Sequence, residues 1–214
     1  SQKNFTQRAR GLVFMLIGAA CAYHFGSNAL SIYENGIGAI NLPYSKAEVG
    51  LDHARSVHPL SLFYLGDLIS KTIRTQFDFS NPYMFWTKSQ MRESLIKLNT
   101  SNLIHFTSSC DRPHRSSHGV IQCGSCSSCI LRRQAIAALD IVDPTEYENG
   151  ELIDKNECLH LRAMTYQLIT MKKILNQSNP WYAFSSEYHE LDDIVDLVSQ
   201  LENLSPDIIR ERII

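Results

Sequence analysis

The sequence predicts an α/β fold that is mostly helical across its 214 residues, with a four-cysteine knuckle among the helices. Three observations predict it. Seven stretches repeat apolar residues at helical spacing. One short run, "ALSIYENG" at 29–36, alternates weakly, carries Ile32 and Tyr33, and reads as a buried strand. Cys110, Cys123, Cys126 and Cys129 fall in the pattern C-x12-C-x2-C-x2-C. Hydrophobic residues make up 44% of the chain and charged residues 20%, which suffices for a core without covalent staples.

The first helix is expected from Thr6, its N-cap, to Phe25, with Gly26 as the stop. "GLVFMLIGAACAYHF" is apolar nearly all round, so this helix should be central. At fifteen residues the run is too short to span a bilayer. After the strand, "ENGIGAINLPYS" suits a loop, because Asn35, Gly36, Gly38 and Pro43 break regular structure. Pro59 opens an amphipathic helix that runs to about residue 74. Thr87 caps "KSQMRESLIKLN". A helix from about Ser128 to Leu139 follows the last clustered cysteine, and Asp143-Pro144 ends it. Residues 156–177 and 187–202 form two more helices. "SPDIIRERII" forms the last, with Ser205 as N-cap and Pro206 in the first turn. The seam between a motif-bearing front, 1–145, and a helical extension, 146–214, falls within 143–156.

A net charge of −2 argues against bulk electrostatic binding to nucleic acid. The polar, basic opening "SQKNFTQRAR" is no secretory signal, so the cytoplasm is the expected compartment, with no membrane anchor. Disulfides are rare there, which turns the clustered cysteines toward a metal. Zn²⁺ takes four thiolates tetrahedrally, and Gly124, Ser125, Ser127 and Ser128 let the backbone curl around one point. An iron–sulfur cluster and a redox dithiol remain as alternatives. A complete four-thiolate set leaves no open coordination position, so the zinc should be structural. Cys21 and Cys158 read as buried free thiols. Around the knuckle, 110–133, lie Arg112, His114, Arg115, His118, Arg132 and Arg133. They make either an anion site or a solvated basic face.

At these residues a family resemblance appears. "CGSCSSCILRRQA" resembles the cysteine signature of the 7-cyano-7-deazaguanine synthases, the QueC-like enzymes, in which a first cysteine precedes C-x2-C-x2-C and then x-Leu-Arg. "NPYMFWTKSQMRESL" at 81–95 and "SQKNFTQRARGLVFMLIGAACAYHFG" at the start are similar to two further family segments. "YENGIGAINLPY" and "RSVHP" resemble the QatC-like branch of anti-phage defence systems. The housekeeping branch's Tyr-Pro-Asp-Cys-type segment is absent.

The resemblance implies part of a Rossmann-like adenine-nucleotide hydrolase fold. It implies ATP-dependent adenylation of a carboxylate on 7-deazaguanine, followed by amide and nitrile formation or by conjugation to a protein partner. A homodimer is a further expectation. The family's Ser-Gly-Gly-x-Asp-Ser pyrophosphate loop does not occur in this sequence. The chain therefore reads as a C-terminal portion, inactive alone, with ATP and Mg²⁺ expected only with the missing half. A zinc-knuckle binding module for nucleic acid or a protein is the rival reading.

Eight residues are candidates for substrate or nucleotide binding. Arg8 and Arg10 sit at the first helix's N-terminal turn, where backbone N–H groups favour anions. Glu34 and Asn35 follow the strand, at the edge where ligands gather in open α/β sheets; the alternative is a turn-stabilising Glu-Asn-Gly. Arg55 and His58 are candidates for a carboxylate or phosphate, although a His before Pro is also a common cap. Lys88 opens a helix, where the dipole disfavours a cation unless an anion offsets it. Arg132 follows the knuckle and is expected to reach the same cleft. No residue stands out as a general base.

Overall fold

The structure, a computed structural model, describes residues 7–44, 55–111, 113–116, 119–150 and 158–214, with the backbone alone for 7–9, 114–116, 119 and 120. It divides into two compact units, Ser1–Phe85 with Lys173–Ile214, and Trp86–Lys172. This division does not follow the 145/146 seam read from the sequence.

In the first unit, α1 spans Gln7–His24. Its expected cap, Thr6, lies outside the described residues. Gly26 ends it at φ 80°, and Ser27 N–H donates back to Ala22 O at 2.9 Å. β1, Ala29–Ser31, pairs in parallel with β2, Asp78–Ser80, with Leu30 opposite Phe79. The strand is shorter than 29–36 because the next residues turn. Asn35 caps a short helix, α2, Gly36–Ile40, by accepting from Gly38 N at 3.2 Å. That replaces the expected loop, and it buries Ala39 and Ile40.

α3, Pro59–Ile73, links β1 to β2 as a crossover. Gly66 lets it approach the strand, since a Cβ there would lie 3.0 Å from Phe77 O. Ser70 Oγ accepts from Phe77 N at 2.8 Å and fixes the same junction. Two parallel strands with a helical crossover are the part of a Rossmann-like sheet among the described residues. α7 (Pro180–Glu187), α8 (Glu190–Glu202) and α9 (Pro206–Ile213) complete this unit. α7 is a separate helix between the two expected over 156–177 and 187–202; Asn179 caps it and Pro180 opens it. α8 buries Leu191, Ile194, Val195 and Val198, and packs on α3 and α9.

The second unit starts with α4, Lys88–Lys97. Thr87 and Gln90 form the expected cap reciprocally: Gln90 N donates to Thr87 Oγ1 at 3.2 Å, and Thr87 N to Gln90 Oε1 at 2.7 Å. A 3-10 turn, Ser101–Phe106, leads to an antiparallel hairpin of β3 (His114–Ser116) and β4 (Gly119–Ile121). α5, Ser127–Ala137, packs on α4, and α6 spans Leu159–Leu175. Among the described residues no helix is long and apolar enough to cross a membrane.

The expectation that α1 is central is corrected. Val13, Phe14 and Ile17 are 49%, 58% and 57% exposed. Apolar residues on every face require a cover on every face. Two close approaches cover α1: a Cβ on Gly18 would meet Leu30 Cδ2 at 2.9 Å, and one on Gly11 would meet Ser56 Oγ at 2.1 Å and Ser56 Cβ at 2.2 Å. Cys21, expected to be buried, is exposed on the same helix. Helix propensity alone favours Gly11→Ala by about 1 kcal/mol. The Ser56 contact reverses that sign. Urea melts should show Gly11→Ala destabilised by roughly 1–3 kcal/mol, whereas a stabilised variant would mean α1 and Ser56 are not in contact.

Candidate functional site

The knuckle is built by a hairpin and a helix. Cys110 precedes the β3–β4 hairpin, which reverses the chain and returns Cys123 beside it, so that Cys123 N donates to Cys110 Sγ at 3.3 Å. Gly124 then turns at φ 80°. A Cβ there would also lie 2.6 Å from Asn149 O, so conformation and space both require glycine. Cys126 is the N-cap of α5 and its N–H donates to Cys123 Sγ at 3.3 Å. Cys129, one turn later, is fully buried. The four sulfurs lie within 4.8 Å of one another, and Cys123 and Cys129 are 3.9 Å apart. Tetrahedral Zn–S bonds of about 2.3 Å hold sulfurs roughly 3.8 Å apart. The donor set therefore fits a metal ion such as zinc.

The thiols are electrostatically uneven. Burial pushes Cys123 up, but backbone N–H groups of Ser125 and Cys126, with the Cys110 and Cys126 thiols, outweigh it and bring Cys123 down to about 6. Burial pushes Cys126 up to about 11. Burial also pushes Cys129 up, and the adjoining Cys126 thiol adds to it. A cation among the sulfurs removes the reason for keeping those two protonated.

The surrounding residues lace the knuckle to 143–150. Asn149 Nδ2 donates to Cys123 O at 2.8 Å. Arg133 Nη1 donates to Gly124 O at 3.2 Å and to Asn149 O at 3.1 Å, Nη2 donates to Gly150 O, and the guanidinium covers the Tyr147 ring. Cys158, half-buried, donates to Ser125 O at 3.3 Å.

Arg132 is corrected as a ligand-binding candidate. It is 1% exposed, and its donors serve the fold: Nε to Thr145 Oγ1 at 3.0 Å, Nη1 to Thr107 Oγ1 at 2.8 Å, Nη2 to Ile104 O at 3.0 Å. It pins the 3-10 turn and the segment at Thr145 to α5. Arg92 on α4 shares this interior at 6% exposure, and no local sequence pattern marks it. Burial, then the Arg132 charge, lower its pKa to about 10, with Asp143 and Tyr147 opposing. The basic face read around the knuckle thus loses Arg132 and Arg133 to internal bonds. The side chains of Arg112, His114, Arg115 and His118 lie outside the described residues. Lys88 is the first residue of α4, half-buried, on the helix that packs against Arg132's helix.

In the other unit, Glu34 and Asn35 act locally. Glu34 Oε1 accepts from Asn35 N at 3.1 Å and from Asn35 Nδ2, while Asn81 Nδ2 donates to Glu34 O at 2.9 Å. Asn35 is 4% exposed and caps α2, so the turn-stabilising alternative describes it. The Arg8 side chain lies outside the described residues, and Arg10 is exposed on α1. The Gly11–Ser56 approach brings that turn against the segment carrying Arg55 and His58. Arg55 Nη1 donates to Glu190 Oε2. His58 is 2% exposed at the N-cap of α3, and its Nε2 has no hydrogen-bond partner among the described residues.

The comparisons with known proteins meet this geometry at the knuckle. The family model for queuosine biosynthesis protein QueC matches residues 2–140, which include all four cysteines. The chain belongs to the QueC family. It is 29% identical over 137 residues to a 7-cyano-7-deazaguanine synthase of Rhodopirellula baltica, a match covering 64% of this chain and 51% of the relative. The chain thus spans about half the length of the curated relative it matches. α7, α8 and α9 of this QueC protein lie beyond the matched stretch.

Two outcomes are expected. Metal analysis of purified protein should give about one zinc ion per chain, and Cys129→Ser should lose it along with several kcal/mol of stability; a variant as stable as the parent would remove the metal from the fold. The second concerns pH. Burial lowers the His58 pKa below 6.5; Glu190 partly offsets this and Arg55 adds to it. The unfolded chain therefore binds this proton before the folded chain does, and stability drops as pH falls below 6.5. Urea melts at successive pH values should show a shallower loss for His58→Gln than for the parent; equal slopes would mean His58 is not buried as a neutral ring.

Proposed function

We propose that this chain is the metal-bearing portion of an ATP-dependent enzyme that activates a carboxylate on a 7-deazaguanine. The family match over a segment whose four cysteines converge on one point carries this reading. The metal is zinc, and it is structural: four thiolates fill a tetrahedral set and leave no position for substrate or water. Its role is to hold the hairpin, the Gly124 turn and the start of α5 in one arrangement.

The chemistry is adenylation. A carboxylate is a poor electrophile, so its oxygen attacks the α-phosphorus of ATP and displaces pyrophosphate. Ammonia then attacks the acyl-adenylate and AMP leaves, which gives a primary amide. Activation of the amide oxygen by a second ATP and its loss with AMP gives a nitrile. In a QatC-like branch the attacking amine belongs to a protein partner. ATP and Mg²⁺ would require a pyrophosphate loop, and the family's Ser-Gly-Gly-x-Asp-Ser segment does not occur in this sequence.

Two observations support an incomplete sheet here. β1 and β2 have three residues each, and a parallel sheet normally has more strands and both faces covered. The exposed apolar residues of α1 await such a cover. Of the eight binding candidates, Arg10, Arg55, His58 and Lys88 are suited to an anionic ligand, and Arg8, whose side chain lies outside the described residues, is kept with them. The alternative nucleic-acid module has less support, because Arg132 and Arg133 are engaged internally. The full-length protein, incubated with ATP, 7-carboxy-7-deazaguanine and ammonia, should release AMP and pyrophosphate; ADP with phosphate would contradict adenylation. No nucleotide turnover with any deazapurine would overturn the reading.

A further inference from the structure

The Arg55–Glu190 pair joins two parts of the chain with different standing. Arg55 lies in the stretch that matches the QueC family; Glu190, 135 residues later, opens α8 in the segment beyond it. Arg55 begins the turn into α3, with His58 N donating to Arg55 O at 3.2 Å. That end of α3 has no side-chain cap, and Pro59 supplies no N–H. His58 is buried there with Nε2 unpartnered, and it senses the charges of both Glu190 and Arg55. A guanidinium, a helix N-terminus and a buried imidazole nitrogen together favour an anion. The anion present is the carboxylate of Glu190.

We propose that Glu190 is a built-in competitor, a carboxylate from the C-terminal segment that occupies Arg55 until the ligand's carboxylate displaces it. This rests on the functional reading above, in which the ligand carries a carboxylate. The two side chains are 31% and 25% exposed, so water screens the pair and re-solvates either partner on release. Arg132 is the contrast: at 1% exposure with three internal acceptors, it cannot be released without burying an unpaired charge. Displacement makes apparent affinity depend on the fraction of molecules with Arg55 free. The C-terminal segment would thereby raise the concentration of a carboxylate ligand needed for binding, and would leave an uncharged ligand that does not use Arg55 unaffected.

Calorimetric titration of the full-length protein without ATP tests this, using 7-carboxy-7-deazaguanine and its uncharged 7-amide as probes. Glu190→Gln should bind the carboxylate about tenfold more tightly, as expected if Glu190 holds Arg55 in about nine of ten molecules. Amide affinity should not change, and Arg55→Gln/Glu190→Gln should show no gain. Glu190→Ser serves as a second variant, with thermal melts to confirm folding. If the parent binds the carboxylate and Glu190→Gln binds it equally or less well, the pair is a structural tie and the competitor proposal is wrong. If neither probe binds the parent or any variant, the deazaguanine reading itself fails, and the competitor falls with it.

Discussion

Four sulfurs gathered within 4.8 Å impose the constraint on which the knuckle and its surroundings depend. Thiolates at that spacing repel one another, and burial adds a solvation cost to each charge. The arrangement is favourable only with a cation at its centre or with protons on the buried sulfurs, and the upward pressure on Cys126 and Cys129 expresses this. The local sequence serves the convergence. A hairpin brings Cys123 back to Cys110, Gly124 makes a turn that no side chain fits, and the first turn of α5 sets Cys126 and Cys129 on one side.

The convergence also determines what nearby cations can do. Arg133 is held by Gly124 and Asn149, and Arg132 spans from α5 to the 3-10 turn and to Thr145. These arginines transmit the knuckle's rigidity to neighbouring segments instead of meeting a ligand. Arg55 differs because its partner is a single, water-accessible carboxylate. Burial and the number of acceptors separate a structural arginine from one that can change partners, and residue type does not.

Much of this was legible in the sequence, for identifiable reasons. Cysteine spacing is a local code for a metal knuckle, the Thr87 boundary rests on a side-chain cap, and the Ser205 boundary rests on Pro206 in the first turn, since Ser205 makes no side-chain cap bond. The failures are nonlocal. Glycines in "GIGAI" read as a loop, yet the Asn35 cap and burial of Ala39 and Ile40 make a helix. Glu34 and Asn35 look like ligand residues in the sequence, which does not show Asn81 clamping their turn. Arg132's acceptors lie 13 to 28 residues away, and Glu190 is 135 residues from Arg55. The apolar pattern of α1 stated that the helix wants to be buried, but not what would cover it.

The chain belongs to the QueC family and spans about half of the curated relative it matches. In the function proposed for it, the knuckle is a brace and the reaction proceeds elsewhere. X-ray absorption at the metal edge tests this most directly, on full-length protein before and after addition of ATP and 7-carboxy-7-deazaguanine. Four sulfur neighbours at about 2.3 Å, unchanged by the ligands, are expected of a closed structural zinc site. An oxygen or nitrogen neighbour that appears with substrate would contradict it and move the metal into the chemistry.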